Sequence, residues 1–280
     1  VAPETIHDDQ QLPPANVLEE GESHLPLLPP GPAVWGVTGI RGYPIGQHVA
    51  PNGVEFNQLF SLDLNFNLWV WQPAGVYLFA DSTFWAQRPG GGQTNPSQGV
   101  FDFSKRELDF NLGTAWNYYG LLEARAFAYS MNNLNRGTSP ISPKGYADGV
   151  GMENRLYLNS MYSYLGTPGF DVARAPFFSI GYYPSKDMVD GDGNSFKPGA
   201  FLRAYLTCDL WDDRCYLYAD GQFIASRSCT AELFQIDAGV AFRPFVRLPR
   251  LEFRLGTMDY YYPAAGETEV SAYGSVRFVF

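Results

Sequence analysis

Three histidines, at positions 7, 24 and 48, and three cysteines, Cys208, Cys215 and Cys229, are the residues of this chain most suited to moving protons or holding metals. A base that works near neutral pH is most often a histidine, and it needs a nucleophile or acid within reach. His7 and His24 fall in a proline-rich stretch, and His48 falls in a predicted loop with no serine motif beside it. Catalysis is therefore not expected. The cysteines fit no zinc spacing. DGDGNS carries Asp190, Asp192 and Asn194 at alternate positions, as a calcium loop does at its start, but Ser195 stands where that loop needs glycine and no glutamate closes it. It reads as a solvated turn. Gly90 to Gly92 lack the Lys-Ser/Thr of a phosphate loop. Neither a metal nor a cofactor is expected.

What remains is a scatter of carboxylates and guanidinium groups. The formal charge is −10, and Lys and Arg form no cluster, so nucleic acid is excluded as a partner. Aromatic residues make up 16% of the chain and charged residues only 17%, a balance that asks where so many rings are placed. No apolar run approaches the ~20 residues of a membrane helix. The sequence starts at VAPE without a charged segment and apolar stretch, which leaves open whether a leader was removed or never existed.

Strands must position these charges, because the dominant period along the chain is two. Residues 1–33 are the exception: seven prolines among acids, without period, read as an extended arm. A weak, glycine-rich strand follows over Val34–Ile45. The clearest internal one alternates Phe60, Leu62, Leu64, Phe66, Leu68 and Val70 with Ser61, Asp63, Asn65 and Asn67. Further strands are predicted near Val76–Gln87, Lys105–Tyr118, Leu122–Tyr129, Asn154–Tyr164, Asp171–Tyr183, Ala200–Leu210, Asp213–Ser226, Leu233–Arg243 and Leu251–Tyr261. Pro176 inside the Asp171–Tyr183 strand counts against it or marks a bulge. The last stretch, EVSAYGSVRFVF, sets Val270, Ala272, Gly274, Val276, Phe278 and Phe280 on a dry face against Ser271, Tyr273, Ser275, Arg277 and Val279.

The connections alternate in length. Long ones near 46–55, 88–103, 132–152, 184–198, 227–232 and 262–268 are separated by QPAG, YYG, GTPG, the turn after Leu210 and PFVRLP. A soluble β-sandwich has no reason to sort its loops this way. This pattern and the closing strand resemble the bacterial outer-membrane β-barrels. The likeness is to an architecture shared by many families and matches no single one. It implies an all-β fold: a closed antiparallel transmembrane β-barrel of about twelve strands over residues 34–280, with the proline-rich arm of residues 1–33 and the C-terminus on the periplasmic side. It also implies that Gly274, Val276, Phe278 and Phe280 form the signal read by the barrel-insertion machinery. Outer-membrane lipid and lipopolysaccharide would surround the wall.

Parity then assigns a lumen. Asp63, Asp81, Glu107, Asp109, Glu123, Asp209, Asp220, Asp237 and Glu252 point inward, as do Arg125, Arg155, Arg203, Arg243, Arg254 and Arg277. The excess of acids favours cations weakly if the lumen is open. Pairing of these charges across a narrow barrel, helped by Phe79, Trp85, Phe127, Tyr205, Tyr218 and Tyr273, would instead close it. The expected function is a porin-like channel for small solutes; the competing one is a structural anchor whose arm and loops bind partner subunits. In the outer-membrane enzymes a histidine stands beside Ser or Asp on the wall, and His48 does not meet that pattern. Finally, a two-residue turn at Trp211 and Asp212 would set Cys208 opposite Cys215, within reach of a disulfide, with three unpaired thiols as the alternative. Cys229 lies ~40 Å away along the strand and cannot join them. It is a free thiol or pairs between subunits.

Overall fold

A computed structural model describes residues 31–45, 47–49, 55–57, 59–87, 106–133, 146–165, 174–185, 188–189, 195–211, 214–263 and 266–280. Residues 1–30 of the arm, the GTPG turn, the triple glycine, and DGDGNS up to Asn194 lie outside the described residues, as do His7 and His24.

In chain order the strands are β1 (Val34–Ile45), β2 (Gln47–Val49), β3 (Glu55–Asn57), β4 (Leu59–Trp71), β5 (Val76–Gln87), β6 (Arg106–Tyr118), β7 (Leu122–Asn133), β8 (Tyr146–Tyr157), β9 (Phe177–Ser185), β10 (Met188–Val189), β11 (Ser195–Phe196), β12 (Pro198–Trp211), β13 (Cys215–Ser226), β14 (Ala231–Phe242), β15 (Leu251–Tyr262) and β16 (Glu267–Val279). One short helix, α1 (Met161–Leu165), precedes β9. Twelve strands form a closed antiparallel barrel in the order β1, β16, β15, β14, β13, β12, β9, β8, β7, β6, β5, β4. β2 with β3 and β10 with β11 make two small hairpins at the long-loop end.

β1 closes the ring. It pairs on both edges, Val37 with Val279 on one side and with Asn65 on the other, and its Trp35 and Tyr43 pack into the interior rings. Phe280 completes the seam, since Gly36 N donates to its carbonyl and its own N donates to that of Gly36, both at 2.9 Å. Closure leaves the wall no unpaired edge along this seam.

Alternation sorts the two faces. Outward-facing Leu112 is 57% exposed, Ile236 51%, Leu255 62% and Val270 57%, and their neighbours on the same face are similar. Such an exterior is stable against hydrocarbon and not against water. The inward face holds the buried rings, including Trp35, Phe79, Tyr129, Tyr216 and Tyr273.

Two strands depart from the sequence expectation. The strand expected at Asn154–Tyr164 runs from Tyr146 to Tyr157, with α1 occupying the rest. The glycines at 149 and 151 hide its first half from a hydrophobic pattern. Gly151 is required, because a Cβ there would overlap the Phe127 ring, which lies flat on the wall. The strand expected from Asp171 begins at Phe177, after Pro176, whose missing N–H cannot enter a ladder. β9 is thus the shortest wall strand, and β12 pairs with it only from Ala200 to Tyr205.

The hairpin of β12 and β13 also differs. The register shifts between Asp209 and Trp211, placing Cys208 opposite Leu217 and Trp211 opposite Cys215. Trp211 pairs with Cys215 within the ladder instead of forming the turn, which carries the register past the one that would set the thiols opposite each other, and Cys208, Cys215 and Cys229 are all unbridged. The disulfide expected between Cys208 and Cys215 is therefore not formed.

Candidate functional site: a charged cavity in the lumen

A cavity of about 360 Å3 lies inside the barrel, lined by Asp63, Asp81, Arg125, Arg155, Arg203, Asp220, Asp237, Arg254 and Arg277 among the residues that parity sends inward. Arg41 joins them from β1. The lining thus has six arginines against four aspartates, with Asn65, Asn67 and Asn111 between them and Tyr77, Tyr157, Phe177, Tyr205 and Tyr218 as ring surfaces.

Strand geometry explains why these side chains meet. Residues two apart on one strand share a face, and antiparallel pairing sets cross-strand neighbours about 5 Å apart. Arg155 pairs with Glu153 on its own strand at 2.8 Å and with Glu123 on β7 at 3.7 Å. Arg203 reaches the facing Asp220 through two donors, Nε at 2.8 Å and an Nη at 2.5 Å. Arg41 bridges Asp63 at 2.7 Å and Asp237 at 2.9 Å, joining β4 to β14 across β1 and its neighbours. Tyr273 donates to Asp237 at 2.5 Å and exchanges a hydrogen bond with Tyr218.

Toward the end where Phe280 lies, a second layer closes beneath the cavity. Glu252 accepts from Arg254 at 2.7 Å, Arg243 at 2.9 Å, Arg277 at 3.3 Å and the Tyr216 hydroxyl at 2.7 Å. Glu123 accepts from Tyr77 at 2.7 Å and Asn117 at 3.1 Å. The floor there is α1, whose Met161 and Leu165 are buried against this layer. Tyr162 of α1 donates to the Asn117 carbonyl at 3.3 Å, and burial pushes its phenol up to about 12.

The remaining inward residues fall elsewhere. Asp109 lies toward the long-loop end and accepts from Trp85 Nε1 at 3.0 Å. Asp209 sits at the opposite mouth, its side chain more than half exposed and paired with Arg174 from the segment before β9. Thr207 donates to the Arg174 carbonyl at 3.0 Å, so that segment covers part of β12 beyond the end of β9. Glu107 stands opposite Trp85 in the β5–β6 ladder, but its side chain lies outside the described residues. His48 is on β2, and its side chain is likewise outside them.

Among the described residues, four charged residues of the interior escaped sequence reasoning: Arg41, Glu153, Arg174 and Glu269, the last on the lumen face near the start of β16. Arg41 lies in the glycine-rich first strand, where no hydrophobic alternation signals a face. Glu153 precedes the strand start expected at Asn154. Arg174 lies on a segment that Pro176 keeps out of the ladder. Counting outward from the paired partners Leu122 and Leu156 would have placed Glu153 inside. The adjacent aromatics at strand ends split by parity, Tyr182 and Tyr261 being exposed and Tyr183 and Tyr260 buried in the lumen, whereas Trp69 and Trp71 share parity and are split, buried and exposed, by the register shift between them. Of the closing strand, Val276 and Phe278 are exposed on the outer face with Gly274, while Arg277 faces the cavity.

No protein-family model matches the chain, and no curated protein matches it. Solved structures do. An outer membrane channel from Pseudomonas putida F1 is 13% identical over 94% of this chain and 100% of its own, with a TM-score of 0.47. Outer membrane phospholipase A from Escherichia coli is 12% identical over 88% of this chain and 92% of its own, with a TM-score of 0.45. The β-domain of the Bordetella autotransporter Brka is 12% identical over 89% of this chain and 100% of its own, with a TM-score of 0.39. At such identities the likeness is one of barrel architecture and says nothing about activity.

Proposed function

We propose that this barrel is a porin-like channel for small polar solutes in a bacterial outer membrane. The observation that carries the reading is the polar cavity of about 360 Å3 enclosed by a wall whose other face is apolar. A barrel built only as an anchor gains nothing from keeping charged groups around a void. Removing such groups from water costs free energy that only their pairing offsets. Twelve strands lie between the side-chain-filled small barrels and the wide aqueous porins, which suits a narrow pore. On the same reading the aromatic residues at the strand ends sit at the membrane interfaces. The turns and both termini face the periplasm, the closing strand is read by the insertion machinery, and residues 1–33 meet partner subunits.

A cation preference does not follow from the cavity itself, where arginines outnumber aspartates; the surplus of acids lies above and below it. Catalysis is set aside because His48 lies on a strand of a small hairpin outside the wall. Phospholipid hydrolysis lost on changing His48→Ala would reverse that judgement.

The test is conductance. Purified chain reconstituted in planar bilayers should open in discrete steps. A folded, inserted barrel that passes no current would overturn the channel reading. It would favour the second one, a closed anchor, which is motivated by the Met161 and Leu165 floor and by the ion pairs beneath the cavity.

A further inference from the structure

Every charged group that lines the cavity already has an opposite charge at ion-pair distance. Arg41 holds Asp63 and Asp237, Arg203 holds Asp220, and Arg125 lies 3.6 Å from Asp81. Arg155 is paired with Glu153 behind the lining, and Arg254 and Arg277 share Glu252. A solute ion therefore meets no charge without a resident partner. To pair with one it must compete with that partner after giving up its own water.

The pairs differ in how far they reach the lumen. The side chains of Arg203, Asp81 and Asp220 keep 34%, 33% and 24% exposure, and no other charge lining the cavity exceeds 20%. In the closed order β13 stands six strands from β5, half of the ring, and β12 stands five. The Arg203–Asp220 pair thus faces Asp81 across the cavity. Thr83 lies two residues beyond Asp81 on the same face of β5, and Asn111 is the partner of Asp81 on β6. Both line the cavity, and among the described residues neither side chain takes a hydrogen bond. On the far wall Arg203 gives Nε and one Nη to Asp220, so the N–H groups of its other Nη remain for a solute.

We infer that this cavity binds neutral saccharides, with hydroxyl groups of the sugar bridging Asp81, Thr83 and Asn111 on one wall and Arg203 with Asp220 on the other. The inference rests on the channel reading above and names the class of solute that the channel takes. Asp81 only accepts hydrogen bonds and Arg203 only donates them, while Thr83 and Asn111 do both. A hydroxyl donates to the first, accepts from the second and exchanges either way with the others, and it brings no charge. A carboxylate drawn to Arg203 would lie beside Asp220, and an ammonium drawn to Asp81 would lie beside Arg125. The volume of about 360 Å3, at the small end of the roughly 300–1,000 Å3 of ligand pockets, fits a monosaccharide.

The test uses the full chain in planar bilayers, with potassium chloride current as the readout. D-glucose should reduce the current reversibly and saturably. Glucuronate and protonated glucosamine place one charge on the same ring. At about pH 6, where the amine is protonated, each should need a roughly three- to tenfold higher concentration for the same block. Thr83→Val and Asn111→Ala should each raise the glucose concentration for half-block roughly two- to tenfold, the scale of one net hydrogen bond, and Thr83→Ser should bind as the wild type does. Where a variant does not insert, the wild-type comparison decides alone. In a conducting barrel, equal block by the three sugars, no block by glucose, or Thr83→Val and Asn111→Ala blocked as the wild type is would each overturn the inference and leave the channel standing. A folded barrel without conductance would overturn both.

Discussion

Glu252 and Glu153 are both carboxylates sunk in the lumen wall, and their surroundings hold them in opposite ways. Glu252 takes hydrogen bonds from Tyr216 on β13, Arg254 on β15, Arg277 on β16 and Arg243 just past the end of β14. Glu153 has one close partner, Arg155 at 2.8 Å, and a loose one, Arg125 at 3.6 Å. Arg125 rests instead on the Phe79 ring, 3.5 Å from its centroid. A carboxylate shared by many donors staples its strands and gives a fixed pole. A carboxylate with one close donor ties fewer strands together and holds its side of the wall less tightly. The contrast separates what holds the barrel from what its cavity can offer.

The sharpest way to break this contrast is Glu252→Gln. Three buried guanidinium groups would lose their common anion, and removing one partner of a buried ion pair costs about 3–5 kcal/mol. Urea unfolding of the vesicle-inserted barrel should show a loss of that size; a loss below ~1 kcal/mol would mean the cluster is no staple. Glu153→Gln should cost less, about 2 kcal/mol, the scale of a hydrogen bond to a charged group, because Arg155 keeps Glu123 and Arg125 keeps Asp81. Equal losses in the two variants would erase the distinction.

Gly181→Ala probes the wall between the two groups. A Cβ there would overlap the Phe201 ring, which lies flat against the wall. The ring should swing into the lumen, at about 1–2 kcal/mol of overpacking, and single-channel current should fall. Unchanged current with retained insertion would show that this layer does not limit the pore. Smallest of all is Cys208→Ser on the exposed outer face of β12, which touches neither cluster. Stability should change by less than ~0.5 kcal/mol, and reducing agent should have no effect on unfolding. A clear sensitivity to reductant would point to a disulfide the geometry does not form.

Much of the barrel could be read in advance, and the failures are local. β4, β5, β6 and β14 to β16 lie within two residues of their expected bounds, because each carries an unbroken apolar alternation. The start of β8 was missed because glycines stand at two of its inward positions and break the pattern there, one of them making room for the Phe127 ring. β9 was overextended because alternation is counted without regard to the missing N–H of Pro176. At the charged site, Asp63, Arg203 and Arg254 line the cavity, as does Arg41, while Glu153 pairs with Arg155; Arg41 and Glu153, neither of them expected inside, sit on the two stretches where no period was visible.

The sequence by itself determined which face each side chain takes, since alternation along a strand is a property of neighbouring residues and survives without knowledge of the fold. From it came the polar interior, the apolar exterior and the count of wall strands. Only the tertiary structure decided which charges meet. Arg41 and Asp237 are far apart in the chain and are joined by closure and stagger of the ring, while the pairing of Trp211 with Cys215, where a turn was expected, parts Cys208 from Cys215. The physical reason is the same in both cases: facing is set within a strand, whereas pairing depends on register accumulated around the whole barrel, where one residue of slip changes every partner that follows.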